Sequence, residues 1–90
     1  MRVHAIIRGD VQGIGYRWFV EKTAAESGIN GWVKNLPDGN VEVEAEGRKE
    51  TLKNFLGTLK TGHRWARVNE IIADWTPVTE KSGSGFSIKF

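Results

Sequence analysis

The spacing of apolar and polar positions changes along the chain, and each change marks a predicted element. Alternating apolar residues in VHAIIRG (3–9) predict a first strand, and Ile6 between them favours burial of both faces. An apolar residue then recurs every four positions, which predicts a helix over about residues 16–27. Gly28 is placed to end that helix.

The middle of the chain predicts a hairpin of two strands. NGWVKN (30–35) and VEVEAEG (41–47) are strand-like and are joined by LPDGN. An Asp-Gly pair between two such segments is a strong hairpin signal. In the later strand, valine and alanine alternate with glutamate, so we expect one face in the core and one in water.

The last third of the chain predicts a second helix and two more strands. An apolar stripe predicts a helix over residues 48–60, and residues 68–75 predict a fourth strand. The adjacent Ile71 and Ile72 interrupt the alternation of that strand, which indicates a bulge or burial of both faces. A mobile loop, EKSGSG, and a short fifth strand, FSIKF (86–90), close the chain.

The predicted order of elements is β-α-β-β-α-β, with an irregular region before the last strand. This order is that of the α+β, ferredoxin-like split β-α-β sandwich, in which two helices cover one face of an antiparallel sheet. We expect residues 1–90 to form a single domain. The fold hosts many functions, so the function has to be argued from a site.

Composition narrows the class of protein. The 90 residues contain no cysteine, which excludes a disulfide framework, thiolate metal sites and cysteine nucleophiles. The first apolar run is broken by Arg8, and no later run approaches a membrane span. We therefore expect a soluble, cytoplasmic protein with no membrane partner. The net charge of +2 suits a small anionic ligand and does not demand nucleic acid.

The segment RGDVQGIGYRWF (8–19) carries the candidate chemistry. Residues 9–15, which we call the glycine loop, lead from the first strand to the first helix, and Arg17 follows in the first turn. The first N–H groups of a helix lack internal partners and carry partial positive charge, and glycines let successive N–H groups face an anion. The residues alone leave two interpretations equally open, a turn beside a solvated arginine or a phosphate cradle completed by its guanidinium.

Asn35, at the end of the second strand, is the second candidate. Asparagine is common at the start of turns, where its side chain bonds the nearby backbone. In the alternative interpretation its amide points toward the glycine loop and holds a water molecule. His4 and His63 lack the spacing of a pair of metal ligands, so we expect no metal.

Two segments resemble the signatures of the acylphosphatase family. GDVQGIGYR resembles the first, in which a Val-Gln-Gly-Val run leads to an aromatic residue and an arginine. GWVKNLPDGNVEVEAEG resembles the second, which places an asparagine before an Asp-Gly turn, and GFSIKF fits the family's ending. Ile14 stands where valine is usual, and Gly15 where many members carry a larger residue.

The resemblance implies a hydrolase that cleaves acyl phosphates to a carboxylate and inorganic phosphate without a metal or cofactor. It implies that Arg17 binds the phosphate and that Asn35 positions the attacking water. The phosphate would also meet the backbone amides of Val11, Gln12, Gly13, Ile14, Gly15 and Tyr16. We expect a monomer with a small acyl phosphate as substrate and with inorganic phosphate as product and inhibitor.

Two rival classes stay open at this point. HRWAR (63–67) mixes arginine and tryptophan in a way that suits nucleic acid, and ferredoxin-like sheets bind RNA through aromatic residues on strands one and three. The acidic face expected on the third strand argues against RNA, so we expect no nucleic-acid partner. The second rival is a non-catalytic regulatory or maturation domain of the same fold.

Overall fold

A computed structural model describes residues 1–78 and 83–90 of the chain. The elements, in chain order, are β1 (Arg2–Asp10), α1 (Tyr16–Glu26), β2 (Asn30–Asn35), β3 (Val41–Glu46), α2 (Lys49–Thr61), β4 (Arg67–Thr76) and β5 (Phe86–Lys89). This is the predicted β-α-β-β-α-β order, followed by the short fifth strand that FSIKF predicts. Residues 80–82 of the predicted loop EKSGSG lie outside the described residues. Neither helix is long and apolar enough to cross a membrane, within the part of the chain that the structure describes.

The five strands form one sheet in the order β4-β1-β3-β2-β5. β1 pairs antiparallel with both β3 and β4, and β2 pairs antiparallel with β3. These four strands confirm the predicted ferredoxin-like arrangement. β5 extends the sheet by pairing parallel with β2, which sets Ile88 beside Val33. The alternation within FSIKF predicts the strand but not this partner.

The core lies between one face of the sheet and the two helices. Alternate residues of the central strands β1 and β3 are fully buried on that face: Val3, Ala5, Ile7, Val41, Val43 and Ala45. The helices contribute Tyr16, Val20 and Ala24 from α1, and Leu52, Phe55 and Leu59 from α2. Burial of each large apolar side chain is worth about 1.5–3 kcal/mol. The apolar residues that alternate in the strands and those that recur along the helices therefore form one core, as the sequence predicts.

The other face of the sheet carries charged side chains, and we call it the open face. Glu46 of β3 forms an ion pair with Arg2, and its hydrogen bond to the guanidinium raises the pKa of Arg2. His4 Nε2 lies 2.6 Å from a carboxylate oxygen of Glu42. This hydrogen bond, helped by the nearby Lys34 ammonium, lowers the pKa of the Glu42 carboxyl. The alternation of valine and glutamate in β3 thus places its acids among cations.

The expectation that the first strand is buried on both faces is wrong, and burial of both faces, one of the two alternatives for the fourth strand, does not occur. Ile6 of β1 and Ile72 of β4 are cross-strand neighbours on the open face. There Ile6 is half-buried and Ile72 is 47 % exposed. Ile71 instead faces the core and packs partly against it. Adjacent isoleucines in a regular strand point to opposite faces, so they do not require burial of both.

A bulge does occur in the pairing of β1 with β4, but not at the two isoleucines. Arg8 pairs with Glu70, whereas Gly9 pairs with Val68, so β4 carries one extra residue at this point. Gly9 has a φ of 144°, and a Cβ added there would lie 2.0 Å from the carbonyl oxygen of Arg67. The close approach of the two backbones therefore requires glycine at the end of β1.

Tyr16 ties the start of α1 to the end of α2. Its buried hydroxyl donates a 2.7 Å hydrogen bond to the carbonyl oxygen of Leu59. We expect Tyr16→Phe to lower the free energy of unfolding in urea by about 1–2 kcal/mol, because that carbonyl loses a buried partner. Unchanged stability of the variant would contradict this contribution.

The same substitution predicts a difference in the dependence of stability on pH. Burial raises the pKa of the Tyr16 phenol in the folded chain above its ordinary value of 10.0. The unfolded chain then releases the proton first, so stability should fall as pH rises above 10.0. Unfolding in urea at a series of pH values should show a steeper decline in the wild type than in Tyr16→Phe. Tyr16 is the one tyrosine of the chain, so tyrosinate absorbance reports its ionisation directly.

Candidate active site

The glycine loop connects the end of β1 to the first turn of α1. Within it, Val11 is buried in the core and Ile14 packs against the core. Gly13 and Gly15 are exposed and have φ values of 79° and 75°. A Cβ at either position would meet nothing within 4 Å, so these glycines serve the left-handed backbone and not close packing.

The N-terminus of α1 faces this loop. Gly15 is the residue that precedes the helix, and no side chain of the described residues caps its first N–H groups. The first intrahelical bond of the turn runs from the N–H of Phe19 to the carbonyl of Gly15. The earlier amides carry the positive end of the helix dipole, which favours an anion here.

Gln12 joins the glycine loop to the β2–β3 hairpin. Its side-chain NH₂ group donates to the carbonyl oxygens of Leu36 and Asn40, each at 2.8 Å. The two hairpin residues are themselves bonded, since the N–H of Leu36 donates to Asn40 at 2.9 Å. One side chain therefore fixes the distance between the loop and the hairpin, a role that the sequence does not reveal.

Arg17 and Asn35 line the same cavity, which has a volume of about 200 Å³. Arg17 comes from the first turn of α1 and Asn35 from the last residue of β2. Asn35 lies two residues after the buried Val33, so its side chain leaves the sheet on the side of the helices. The structure thus brings together the two side chains that the sequence singles out.

The C-terminal strand orients the guanidinium of Arg17. Nη1 donates a 3.3 Å hydrogen bond to the carbonyl oxygen of Lys89. The guanidinium carbon lies 4.7 Å from the centre of the Phe90 ring. Guanidinium carries five N–H donors, so these contacts leave donors that a ligand in the cavity can use.

Asn35 holds an unused acceptor in the same cavity. Its Oδ1 is buried and accepts no hydrogen bond from any of the residues that the structure describes. A buried acceptor without a donor costs about 1–3 kcal/mol, and such atoms are rare enough to require an explanation. A functional site that supplies the donor is such an explanation.

The cavity includes most of the predicted residues and three others. Val11, Gln12, Gly13, Gly15 and Tyr16 line it. Ile14 is not among the lining residues, because its side chain turns into the core. Trp18, Ile88 and Phe90 line the cavity although the sequence did not single them out. The alternation in FSIKF places Ile88 and Phe90 on one face of a strand. Only the pairing of β5 with β2 brings that face to the cavity.

His63 of the segment HRWAR belongs to an aromatic cluster that shares Tyr16 with the cavity. His63 packs its ring against those of Tyr16, Phe19 and Trp65, with centroid distances of 5.7, 5.3 and 6.2 Å. Its Nδ1 accepts hydrogen bonds from the backbone N–H groups of Trp65 and Ala66. The His63 imidazole therefore stabilises the turn that precedes β4 through these two hydrogen bonds. No group of three or more histidine, aspartate or glutamate side chains could hold a metal ion among residues 1–78 and 83–90.

Comparison with known proteins points to one family. Residues 3–88 match the family model described as Acylphosphatase. An acylphosphatase of Thermus thermophilus is 53% identical over 74 residues, which cover 82% of this chain and 84% of the relative. One of Clostridium beijerinckii is 39% identical over 90 residues, which cover 100% and 99%. The crystal structure of acylphosphatase from Bacillus subtilis superposes with a TM-score of 0.88 at 37% identity, covering 99% of this chain and 98% of that one.

The geometry of Gln12 yields a prediction about stability. Gln12→Ala removes both hydrogen bonds to the hairpin, so the free energy of unfolding should fall by about 1–2 kcal/mol. Gln12→Glu at pH 7 is the matched control, because it keeps the shape but cannot donate. It should be no more stable than Gln12→Ala in urea unfolding. A glutamate variant with wild-type stability would show that the two donated bonds contribute nothing.

Proposed function

Because the chain belongs to the acylphosphatase family of hydrolases, we propose that the cavity between the glycine loop, Arg17 and Asn35 cleaves the carboxyl–phosphate bond of acyl phosphates. The observation that carries this proposal is the meeting of a guanidinium, a helix N-terminus and an unused buried amide oxygen at one cavity. The products are a carboxylate and inorganic phosphate, and inorganic phosphate also inhibits by occupying the same place.

The phosphoryl group binds to Arg17 and to the backbone amides of residues 11–16. Its charge is spread over three oxygens, and catalysis of phosphoryl transfer consists mainly of positioning and neutralising that charge. Lys89 and Phe90 hold the guanidinium in place before substrate arrives. These donors accelerate the reaction only as far as they bind the transition state better than the substrate.

Asn35 orients the attacking water. Its Oδ1 accepts a hydrogen bond from the water and holds the water oxygen in line with the departing carboxylate. The bond from the water oxygen to phosphorus forms while the bond from phosphorus to the acyl oxygen breaks, and the proton of the water passes to an oxygen of the phosphoryl group. An amide cannot take a full proton, so Asn35 is an orienting group and not a general base. A carboxylate is a good leaving group, so the step needs no general acid.

Structural features support this activity over the two rivals. On the open face, β1 and β3 present no Phe, Tyr or Trp side chain among the described residues, and β3 presents glutamates. The one ring there is the imidazole of His4, which is bonded to Glu42. That surface does not suit stacked RNA bases. The presence of both Arg17 and Asn35 favours a catalytic domain over a regulatory one. We further propose one domain over residues 1–90, a monomer and a cytoplasmic location, which stay predictions.

Arg17→Ala should lower kcat/KM for acetyl phosphate by roughly 10²-fold or more, because the phosphoryl charge loses its principal side-chain donor. The measurement is steady-state hydrolysis in EDTA, corrected for spontaneous hydrolysis. Arg64→Ala is the matched control, since Arg64 is exposed and lies outside the cavity; it should keep wild-type activity. A folded Arg17→Ala protein that hydrolyses acetyl phosphate at the wild-type rate would refute the assignment.

Asn35→Ala should lower kcat by about 10²-fold, because the water loses its alignment. The inhibition constant for inorganic phosphate should stay close to that of the wild type. Asn54→Ala, which removes an exposed amide from α2, is the control and should behave as the wild type. A parallel loss of phosphate inhibition and turnover would instead assign Asn35 to phosphate binding.

A further inference from the structure

Asn35 depends on its backbone for its position in the cavity. Its Oδ1 is buried and accepts no hydrogen bond from the residues that the structure describes. No donor of the protein therefore fixes the atom to which the proposed function assigns the attacking water. What places this atom is the path of the chain from the last residue of β2 into the β2–β3 hairpin.

The tip of the hairpin is held together by its own hydrogen bonds. Residues 36–40 lie between β2 and β3, so no neighbouring strand pairs with them. The N–H of Gly39 donates to the carbonyl oxygen of Leu36 at 3.2 Å, and the N–H of Asn40 donates to the Asp38 carboxylate at 3.0 Å. These bonds fix the shape of the tip, but they do not fix its distance from the glycine loop.

Gln12 supplies the connection between the two segments. Among the described residues, every hydrogen bond that joins residues 11–15 to residues 36–40 comes from its side-chain NH₂ group. Both bonds are 2.8 Å long. One acceptor is the carbonyl oxygen of Leu36, the residue directly after Asn35. The bond therefore acts one peptide unit away from the amide that lines the cavity.

The glycine loop itself is attached to the core and not to the hairpin by its other side chains. Val11 is 1% exposed in the core, and Ile14 packs against the core. Gly13, between them, is exposed and has no side chain to pack. The loop continues directly into the helix turn that carries Arg17. A phosphoryl group bound to Arg17 and the loop amides therefore takes its position from the core and α1, whereas Asn35 takes its position from the hairpin.

We infer that Gln12 is a positioning residue for the hydrolysis: its two hydrogen bonds hold Asn35 at the distance from the glycine loop at which the water lies in line with the phosphoryl group. This inference rests on the proposed function and names the residue that aligns its two halves. A misplacement of reacting groups by about 1 Å can cost about 10²-fold in rate. Both NH₂ donors are directed at the hairpin, so their loss should lower kcat and leave phosphate binding in place.

The first test measures kcat for acetyl phosphate in EDTA together with the inhibition constant for inorganic phosphate. In Gln12→Ala, kcat should fall by about 10-fold, while the inhibition constant should stay within about 2-fold of the wild type. Gln12→Met keeps the length of the side chain but has no donor, so it should behave in the same way. Ile29→Val is the control for lost stability, because it removes a buried methyl group outside the cavity, and it should keep the wild-type kcat.

A double-mutant cycle tests whether Gln12 acts through Asn35. If the glutamine serves only to place the Asn35 amide, its removal has nothing left to misplace once that amide is gone. Gln12→Ala should therefore change kcat by less than about 2-fold in the Asn35→Ala background, against about 10-fold in the wild-type background. A glutamine that merely supports the fold would lower kcat by the same factor in both backgrounds. Circular dichroism at the assay temperature checks that each variant is folded.

The outcomes separate this inference from the proposed function. A wild-type kcat in Gln12→Ala and Gln12→Met, or equal losses in the two backgrounds of the cycle, overturns the positioning role and leaves the hydrolase intact. A rise in the phosphate inhibition constant that matches the fall in kcat assigns Gln12 to phosphate binding and also overturns it. A wild type that does not hydrolyse acetyl phosphate above the spontaneous rate overturns both proposals.

Discussion

The site depends on two properties of the sheet. Three of its strands run in the same direction, and successive side chains of each strand point to opposite faces. β1 and β2 both pair antiparallel with β3, so they run parallel to each other, and β5 runs parallel to β2. The carboxyl ends of these three strands therefore meet at one end of the sheet. The glycine loop, Asn35 and Phe90 each occupy one of those ends. A register slip of one residue in β2 would turn Asn35 to the open face and remove it from the cavity.

The same alternation keeps the acidic side chains of the sheet apart from the cavity that contains Arg17. The glutamates of β3 all point to the open face, where Arg2, His4 and Lys34 meet them. The cavity lies on the other side of the sheet, at the N-terminus of α1, and no acidic side chain of the described residues lines it. An anionic substrate is thus kept apart from the acidic surface of its own protein by the thickness of one sheet.

Local patterns and the resemblance predicted much of this molecule, and long-range pairing explains what they missed. The period of apolar residues is a local property, so the strands, the helices and the Asp-Gly hairpin followed from it. Arg17 was singled out because a glycine-rich loop and a helix start are adjacent in the chain. That Asn35 shares its cavity depends on the order of strands, which no local period encodes. The bonds of Gln12 and the partner of β5 join distant segments, and they were missed for the same reason. Burial of both faces was considered for β4 because Ile71 and Ile72 are adjacent and both apolar, but the pattern alone does not show that only Ile71 faces the core.

The bond from Tyr16 to Leu59 links the site to a helix that contributes no residue to the cavity. Tyr16 comes directly before Arg17, so fraying of the last turns of α2 removes the anchor of the residue that starts α1. The loop and the end of α2 are thereby coupled, and local opening of either one exposes the backbone amides of both. Amide hydrogen exchange at the beginning of α1 and the end of α2 would then share a common opening event. Substitutions on the outer surface of α2 can in this way disturb the first turn of α1, where Arg17 lies, without touching the cavity.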